Sequence, residues 1–176
     1  VLARGTTELI NVAKEPEIID LCRCLKSMGC KIEGEGENTI FIDGVDNLRE
    51  TIHEVVMDRI ELGTYIIAGA ISDGDIKLTG GNIGLLKSFI NKLYEVGVEV
   101  SEANDHLRVR RMKRSSIKCT NIVTEPFPGF PTDLQAQMMA LLSIADGVSN
   151  IEEQIFENRF MHVPELIRMG ARIEIE

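Results

Sequence analysis

Leu25-Lys26-Ser27-Met28-Gly29-Cys30-Lys31-Ile32 decides the fold, because the chain carries this pattern three times. It reads leucine, two variable residues, an aliphatic, glycine, two variable residues, an aliphatic. Leu93 to Val100 repeats it around Gly97, and Leu166 to Ile173 around Gly170. The three glycines are 68 and 73 residues apart. A second marker, a small residue two before a glycine that opens an apolar strand, runs beside the first. It occurs at Ala3-Arg4-Gly5, Ser72-Asp73-Gly74 and Ala145-Asp146-Gly147, with glycines 69 and 73 residues apart. Two markers with matching spacing define one repeated supersecondary unit. Such a unit cannot bury its apolar face alone, so neighbouring copies must pack on one another. The chain opens on what reads as a helix end and closes on what reads as a strand, as expected of a piece of a longer array.

Around these markers the elements fall into order. Thr6 to Val12 reads as a strand, and Pro16-Glu17 opens a helix that stops before Gly29. Strands are expected at Cys30–Glu33 and Thr39–Asp43, joined by a glycine-rich turn, and an extended crossing over Leu48–Met57. The next copy reads as a helix Asp58–Ser72, a strand Asp75–Thr79, a helix Ile83–Val96, and strands Val98–Ser101 and His106–Met112. An extended stretch Ile117–Val123 follows. A helix begins at Thr132 or Asp133 and stops before Gly147. A strand then runs to Ile155, a loop to His162, a short helix from Pro164, and a last strand from Ala171.

The helices are of two kinds. Ile18–Met28 and Leu85–Val96 carry Lys and Glu along one side. The helix holding Ile60, Tyr65, Ile66, Ile67, Ala68, Ala70 and Ile71 and the helix holding Leu134, Met138, Met139, Leu141, Leu142 and Ile144 are apolar nearly all round, which predicts burial on every side. The strands do the opposite. His106-Leu107-Arg108-Val109-Arg110 and Lys31-Ile32-Glu33 alternate, so one sheet face meets water. Water-facing sheets around central helices are not a doubly wound fold. They predict an inside-out α/β barrel built from repeated βαββ-type units.

The bulk composition narrows function. Of 176 residues, 44% are hydrophobic, enough for a true core. Acids outnumber bases 28 to 19, a net charge of −9, which disfavours nucleic acid as partner. An anionic small ligand therefore needs locally placed cations. No apolar run reaches membrane-spanning length without charges, and no signal peptide is apparent. Four cysteines in such a chain fit a reduced, cytoplasmic protein. Cys22 falls on the apolar stripe Ile18, Leu21, Leu25, Met28, and Cys24 lies about 200° around the helix from it. With only His53, His106 and His162 available, no zinc pattern completes.

Three segments exceed the needs of packing. In Asp58-Arg59-Ile60-Glu61-Leu62-Gly63-Thr64 a capping box accounts for Asp58 and Glu61 but not Arg59. In Pro126-Phe127-Pro128-Gly129-Phe130-Pro131-Thr132-Asp133-Leu134-Gln135-Ala136-Gln137 a second box pairs Thr132 with Gln135. There the three prolines predict a rigid, extended approach that presents a carboxylate beside free helix N–H groups. Gln137 has no part in a cap. In Ile155-Phe156-Glu157-Asn158-Arg159-Phe160-Met161-His162 two aromatics, opposite charges, an amide and an imidazole crowd one loop, the composition of a site or an interdomain surface. His162 reads as a structural residue at a helix entry rather than an acid or base.

These segments, in this order and followed by Val163-Pro164-Glu165-Leu166, resemble the enolpyruvyl transferases that act on UDP-N-acetylglucosamine, an EPSP-synthase-like family. The likeness spans the whole chain. It implies two inside-out α/β domains of three units each, with the active site in the cleft between them. Residues 1–57 would end the first domain and residues 58–176 would begin the second. The resemblance implies transfer of the enolpyruvyl group of phosphoenolpyruvate to the sugar 3-hydroxyl, the step that commits the sugar nucleotide to peptidoglycan, without metal or cofactor. By the same likeness Asp133 is the carboxylate that meets that hydroxyl and serves as its base. Ile155, where valine is usual, offers its backbone to the sugar nucleotide, and Arg159 lines the cleft. Asp58 and Arg59 form the interdomain pair near the reacting centre. The family's catalytic cysteine lies upstream of Val1 and most of its phosphate-gripping cations lie outside this chain, so this chain alone is expected to be inactive. None of Cys22, Cys24, Cys30 and Cys119 sits in that motif.

A carboxylate at a helix N-terminus is favoured as the anion, which weakens it as a base. Either closure of the cleft desolvates Asp133, or Asp133 mainly orients the hydroxyl. Two other readings stand beside the first: the relative acting on 3-phosphoshikimate, and a non-catalytic module that keeps the fold.

Overall fold

Each glycine of the leading pattern ends a helix in the left-handed region, with φ of 103° at Gly29, 89° at Gly97 and 105° at Gly170. A side chain there costs roughly 1–2 kcal/mol, so glycine is the residue that fits. Behind Gly29 the amide of Cys30 reaches the Leu25 carbonyl at 3.0 Å, and that of Gly29 reaches Lys26 at 2.9 Å. Ala171 and Gly170 repeat both bonds to Leu166 and Ile167, at 3.0 and 2.9 Å. This is a Schellman closure, and the recurring leucine supplies its first acceptor. The second marker is less uniform. Gly5 and Gly147 take positive φ, whereas in the middle copy Asp73 does so, at 54°.

The computed structural model describes residues 1–111 and 116–176. They form two compact units, Val1–Met57 and Asp58–Glu176. In the first, β1 (Thr6–Ile10), α1 (Pro16–Ser27), β2 (Lys31–Glu33) and β3 (Thr39–Asp43) make an antiparallel sheet of order β1-β3-β2. Cys22 of α1 packs with Cys30, Ile32 and Ile40 as its core. The stretch 48–57 has neither helix nor strand. It is tied to α1 and its end by Arg49 N–H to Met28 at 2.9 Å, Thr51 to Ser27 at 2.8 Å and His53 to Asp20 at 3.1 Å.

The second unit begins with α2 (Arg59–Ile71) and then repeats the same plan. β4 (Asp75–Thr79), α3 (Lys87–Glu95, entered through a 3-10 turn at Ile83–Leu86), β5 (Val98–Glu102) and β6 (His106–Arg111) form a sheet of order β4-β6-β5. Its inner face buries Val98, Val100, Leu107 and Val109 against α2 and α3. Its outer face carries Arg108 bonded to Asp75 and Arg110 bonded to Glu99. The expected strand end at Met112 lies outside the described residues. The chain continues through β7 (Ile122–Val123), a 3-10 turn Thr132–Leu134, α4 (Gln135–Leu142), β8 (Ile151–Glu152) and α5 (Val163–Arg168), with β7 and β8 parallel. No helix among the described residues is long and apolar enough to cross a membrane.

Helices α2 and α4 lie side by side. A Cβ at Gly63 would stand 2.4 Å from Leu134, and Gln137 donates to Thr64 at 3.0 Å. That bond is the use the sequence left open for Gln137. Two expectations need correction. The apolar helices are not buried on every side: α2 exposes Glu61, Thr64, Tyr65 and Ala68, a single stripe. The sheet and α4 cover its other faces, and among the described residues nothing covers that one. Residues 171–176 form no strand despite their alternation, because a strand exists only against a partner and none of the described residues supplies it.

Candidate functional site

Asp133 and Arg159, 26 residues apart in sequence, meet directly: an Arg159 guanidinium N–H donates to Asp133 Oδ1 at 2.5 Å. Asp133 sits in the 3-10 turn that leads into α4, its side chain half exposed. Arg159 comes from the loop before α5 and lies over the Phe156 ring, 4.9 Å from its centroid. That stacking orients the guanidinium, since a cation is drawn to the face of an aromatic ring. Phe156 itself is exposed, and Asn158 between them takes a left-handed turn, with φ of 57°.

The approach to Asp133 differs from the expected extended rod. Pro126–Gly129 is a turn closed by Gly129 N–H to the Pro126 carbonyl at 2.8 Å, and Glu125 then bonds back to Phe130 at 3.0 Å. A fixed proline φ serves a turn as readily as an extended chain. The turn is anchored on α3, with Ser88 donating to the Gly129 carbonyl at 2.7 Å and the Phe89 and Phe130 rings 5.8 Å apart.

The second capping box does not form. Neither Thr132 nor Asp133 caps a helix. A tight turn rather than an α-helix follows Pro131, so the box geometry is unavailable. The Thr132 hydroxyl is used elsewhere, donating to Glu153 Oε2 at 2.8 Å. Gln135 is buried with both its amide atoms lacking a partner.

Glu153, which the sequence did not single out, is the hub beneath the site. Its Oε1 accepts from the Thr124 hydroxyl and the Ile155 amide, each at 2.9 Å, and from the Phe156 amide at 3.2 Å. Thr124, fully buried beside β7, accepts in turn from the Gln154 amide at 2.9 Å. Burial pushes the Glu153 carboxyl upward, but the donors from Thr132, Ile155, Thr124 and Phe156 together outweigh it and leave it below the usual carboxylate range. Ile155 is thus half-buried with its backbone held from below.

Asp58 and Arg59 stand at the start of α2. Asp58 caps that helix, accepting from the amides of Ile60 and Glu61 at 2.8 and 3.0 Å, which is the capping half of the first segment's reading. Arg59 is buried, 7% exposed. One turn later Gly63 receives Leu134, the residue after Asp133, so α2 and the Asp133 turn are packed neighbours. His162 enters α5 with its ring half-buried, and burial lowers its pKa, the setting of a neutral structural histidine.

The family model of EPSP synthase (3-phosphoshikimate 1-carboxyvinyltransferase) matches residues 1–176. The chain is 59% identical over 174 residues to the UDP-N-acetylglucosamine 1-carboxyvinyltransferase of Ruegeria pomeroyi and 61% identical to that of Cereibacter sphaeroides. Each alignment covers 99% of this chain and 41% of the relative, so the chain spans about two-fifths of their length. Among solved structures, the enolpyruvyl transferase NikO from Streptomyces tendae superposes with a TM-score of 0.87 at 25% identity, over 99% of this chain and 42% of that one. EPSP synthase from Acinetobacter baumannii, at a TM-score of 0.62 and 18% identity over 96% of this chain and 40% of its own, shares the fold.

Proposed function

The chain belongs to the EPSP synthase family, and from that premise we propose that it is part of a UDP-N-acetylglucosamine enolpyruvyl transferase. What carries this reading is the 59–61% identity to such enzymes over nearly the whole chain. Residues 1–57 then end one domain of the enzyme and residues 58–176 begin the other, and the rest of that protein is the chain's partner. The enzyme works in the cytoplasm on the first committed step of peptidoglycan synthesis, with no metal or cofactor.

The sugar 3-hydroxyl attacks C2 of phosphoenolpyruvate while C3 gains a proton. Phosphate then leaves and C3 returns a proton, which restores the double bond. A hydroxyl is a weak nucleophile and wants an acceptor within about 2.6–3.2 Å. Asp133 is that acceptor. Its contact with Arg159 uses one carboxylate oxygen. A carboxylate has about four acceptor positions, so a sugar hydroxyl can be taken on the other oxygen. Arg159 and the backbone of Ile155 hold the nucleotide sugar, with Asp58 and Arg59 as the interdomain pair near the reacting centre.

The test is phosphate release by the intact protein that contains this chain. It is expected with phosphoenolpyruvate and UDP-N-acetylglucosamine together and not when 3-phosphoshikimate replaces the sugar nucleotide. The reverse preference would favour the relative that acts on 3-phosphoshikimate. The 176-residue chain alone is expected to stay at background, and turnover by it would overturn the division of the site between this chain and the remainder.

A further inference from the structure

Glu153 receives four donors, and they come from both halves of the site. Oε2 accepts from Thr132, whose chain neighbour is Asp133. Oε1 accepts from the amides of Ile155 and Phe156, the second of which carries the ring beneath Arg159. Thr124 joins the same oxygen and is bonded to Gln154, which closes a ring of contacts around a turn otherwise exposed at Gln154 and Phe156. Two amides pointing at one oxygen fix the peptide planes of 154–155 and 155–156, and therefore the direction of the Ile155 carbonyl and side chain.

We propose that Glu153 is a positioning residue: it ties the turn bearing Asp133 to the backbone of Ile155 and so sets the spacing at which the sugar nucleotide is held. The proposal rests on the transferase reading for its substrate, not for its geometry. A filler of the same volume would serve packing equally well, since buried ionic groups are replaceable by apolar ones where only stability is at stake. Here three of the four donors, Thr132, Ile155 and Phe156, adjoin or belong to a residue placed at the substrate, and the fourth, Thr124, braces the same oxygen. The chemistry also ranks the replacements. Glutamine keeps an oxygen for the three donors on one side, and the Thr132 hydroxyl can rotate to accept from its NH2 group. Aspartate keeps the charge but retreats by one methylene. Alanine leaves every donor without its acceptor.

The experiment uses the intact enzyme with Glu153→Gln, Glu153→Asp and Glu153→Ala, assayed well below each variant's unfolding temperature. Glu153→Ala is expected to raise KM for UDP-N-acetylglucosamine about tenfold or more, and Glu153→Gln to restore most of it. KM for phosphoenolpyruvate should stay within about twofold. An unchanged sugar-nucleotide KM in folded Glu153→Ala, or equal rises for both substrates, overturns the proposal. If the wild-type enzyme does not use UDP-N-acetylglucosamine, the transferase reading falls by itself. Hydrogen exchange on the 176-residue chain then decides the positioning. The Ile155 and Phe156 amides should exchange about tenfold faster in Glu153→Ala than in wild type, while those of α2 hold. No change at those two amides, or a uniform rise throughout the chain, overturns it. Should Glu153→Ala fail to fold, Glu153→Asp supplies the same comparison.

Discussion

Asp133 and Glu153 are carboxylates of one site with opposite surroundings. Asp133 stands half exposed, held by one guanidinium through one oxygen. Glu153 is turned inward, with both oxygens occupied by hydroxyls and amides. The contrast separates a carboxylate with one oxygen still open from a carboxylate consumed in shaping its surroundings. An exposed ion pair contributes about 0–1 kcal/mol to stability, so Asp133 can be lost to the fold at little cost. A half-buried carboxylate with several donors cannot, because its removal strands the donors.

The largest expected effect lies on the reactive side of that contrast. Asp133→Asn keeps the shape and removes the proposed proton acceptor, so kcat of the intact enzyme should fall about 10²–10⁴-fold, with a smaller change in sugar-nucleotide affinity. Steady-state kinetics with both substrates varied checks this, and near-normal turnover would leave Asp133 an orienting group at most. Next comes Glu153→Ala, expected to lower the stability of the second unit by about 2–3 kcal/mol in urea unfolding of the 176-residue chain. A loss under about 0.5 kcal/mol would mean that water replaces the carboxylate freely.

Acidification should sharpen the comparison further. The folded pKa of Glu153 is depressed below the ordinary 4.5, so its contribution is fully present above about pH 4.5 and is lost as pH falls through the folded value. His162 is also depressed, by burial, so the stability of keeping it neutral is present above about pH 6.5 and declines below it. Urea midpoints between pH 8 and 3 should therefore fall in two stages. Glu153→Gln should make the lower stage shallower, since Asp20, Glu35, Asp75, Glu95 and Asp105 are depressed as well, and His162→Asn should flatten the upper. The smallest effect is expected for Asp133→Ala, whose side chain caps nothing: a stability change within about 0.5 kcal/mol by the same urea assay.

How much of this was legible depended on whether the signal was local. The glycine stops were readable because a Schellman closure involves six consecutive residues and one required backbone angle. Asp58 as a cap was readable for the same reason. The central pairing of α2 with α4 followed from their all-apolar composition, but the stripe through Tyr65 and Ala68 did not, since exposure is set by what else is present. The Thr132 box failed because residue types at the right spacing do not distinguish an α-helix start from a 3-10 turn. Glu153 escaped notice because Ile151-Glu152-Glu153-Gln154 reads as a polar strand end. The strand β8 stops at Glu152, so Glu153 lies just past it, where no alternation rule marks a residue as inward.

The helix stops also bear on the order in which the molecule assembles. The third copy shows its closure complete at Gly170, with both hydrogen bonds made, although the residues after it pair with no strand among the described residues. The stop is made of local bonds alone. During synthesis each helix can end at its own glycine within the short time of a local turn, before any hairpin has emerged to pair. Sheet formation is then the later, longer-range step, and a drift of a few residues in unit length accumulates in the connecting loops without disturbing the stop. A lineage that duplicated such a unit had no need to rebuild the instruction for turning the chain, because every copy carries its own.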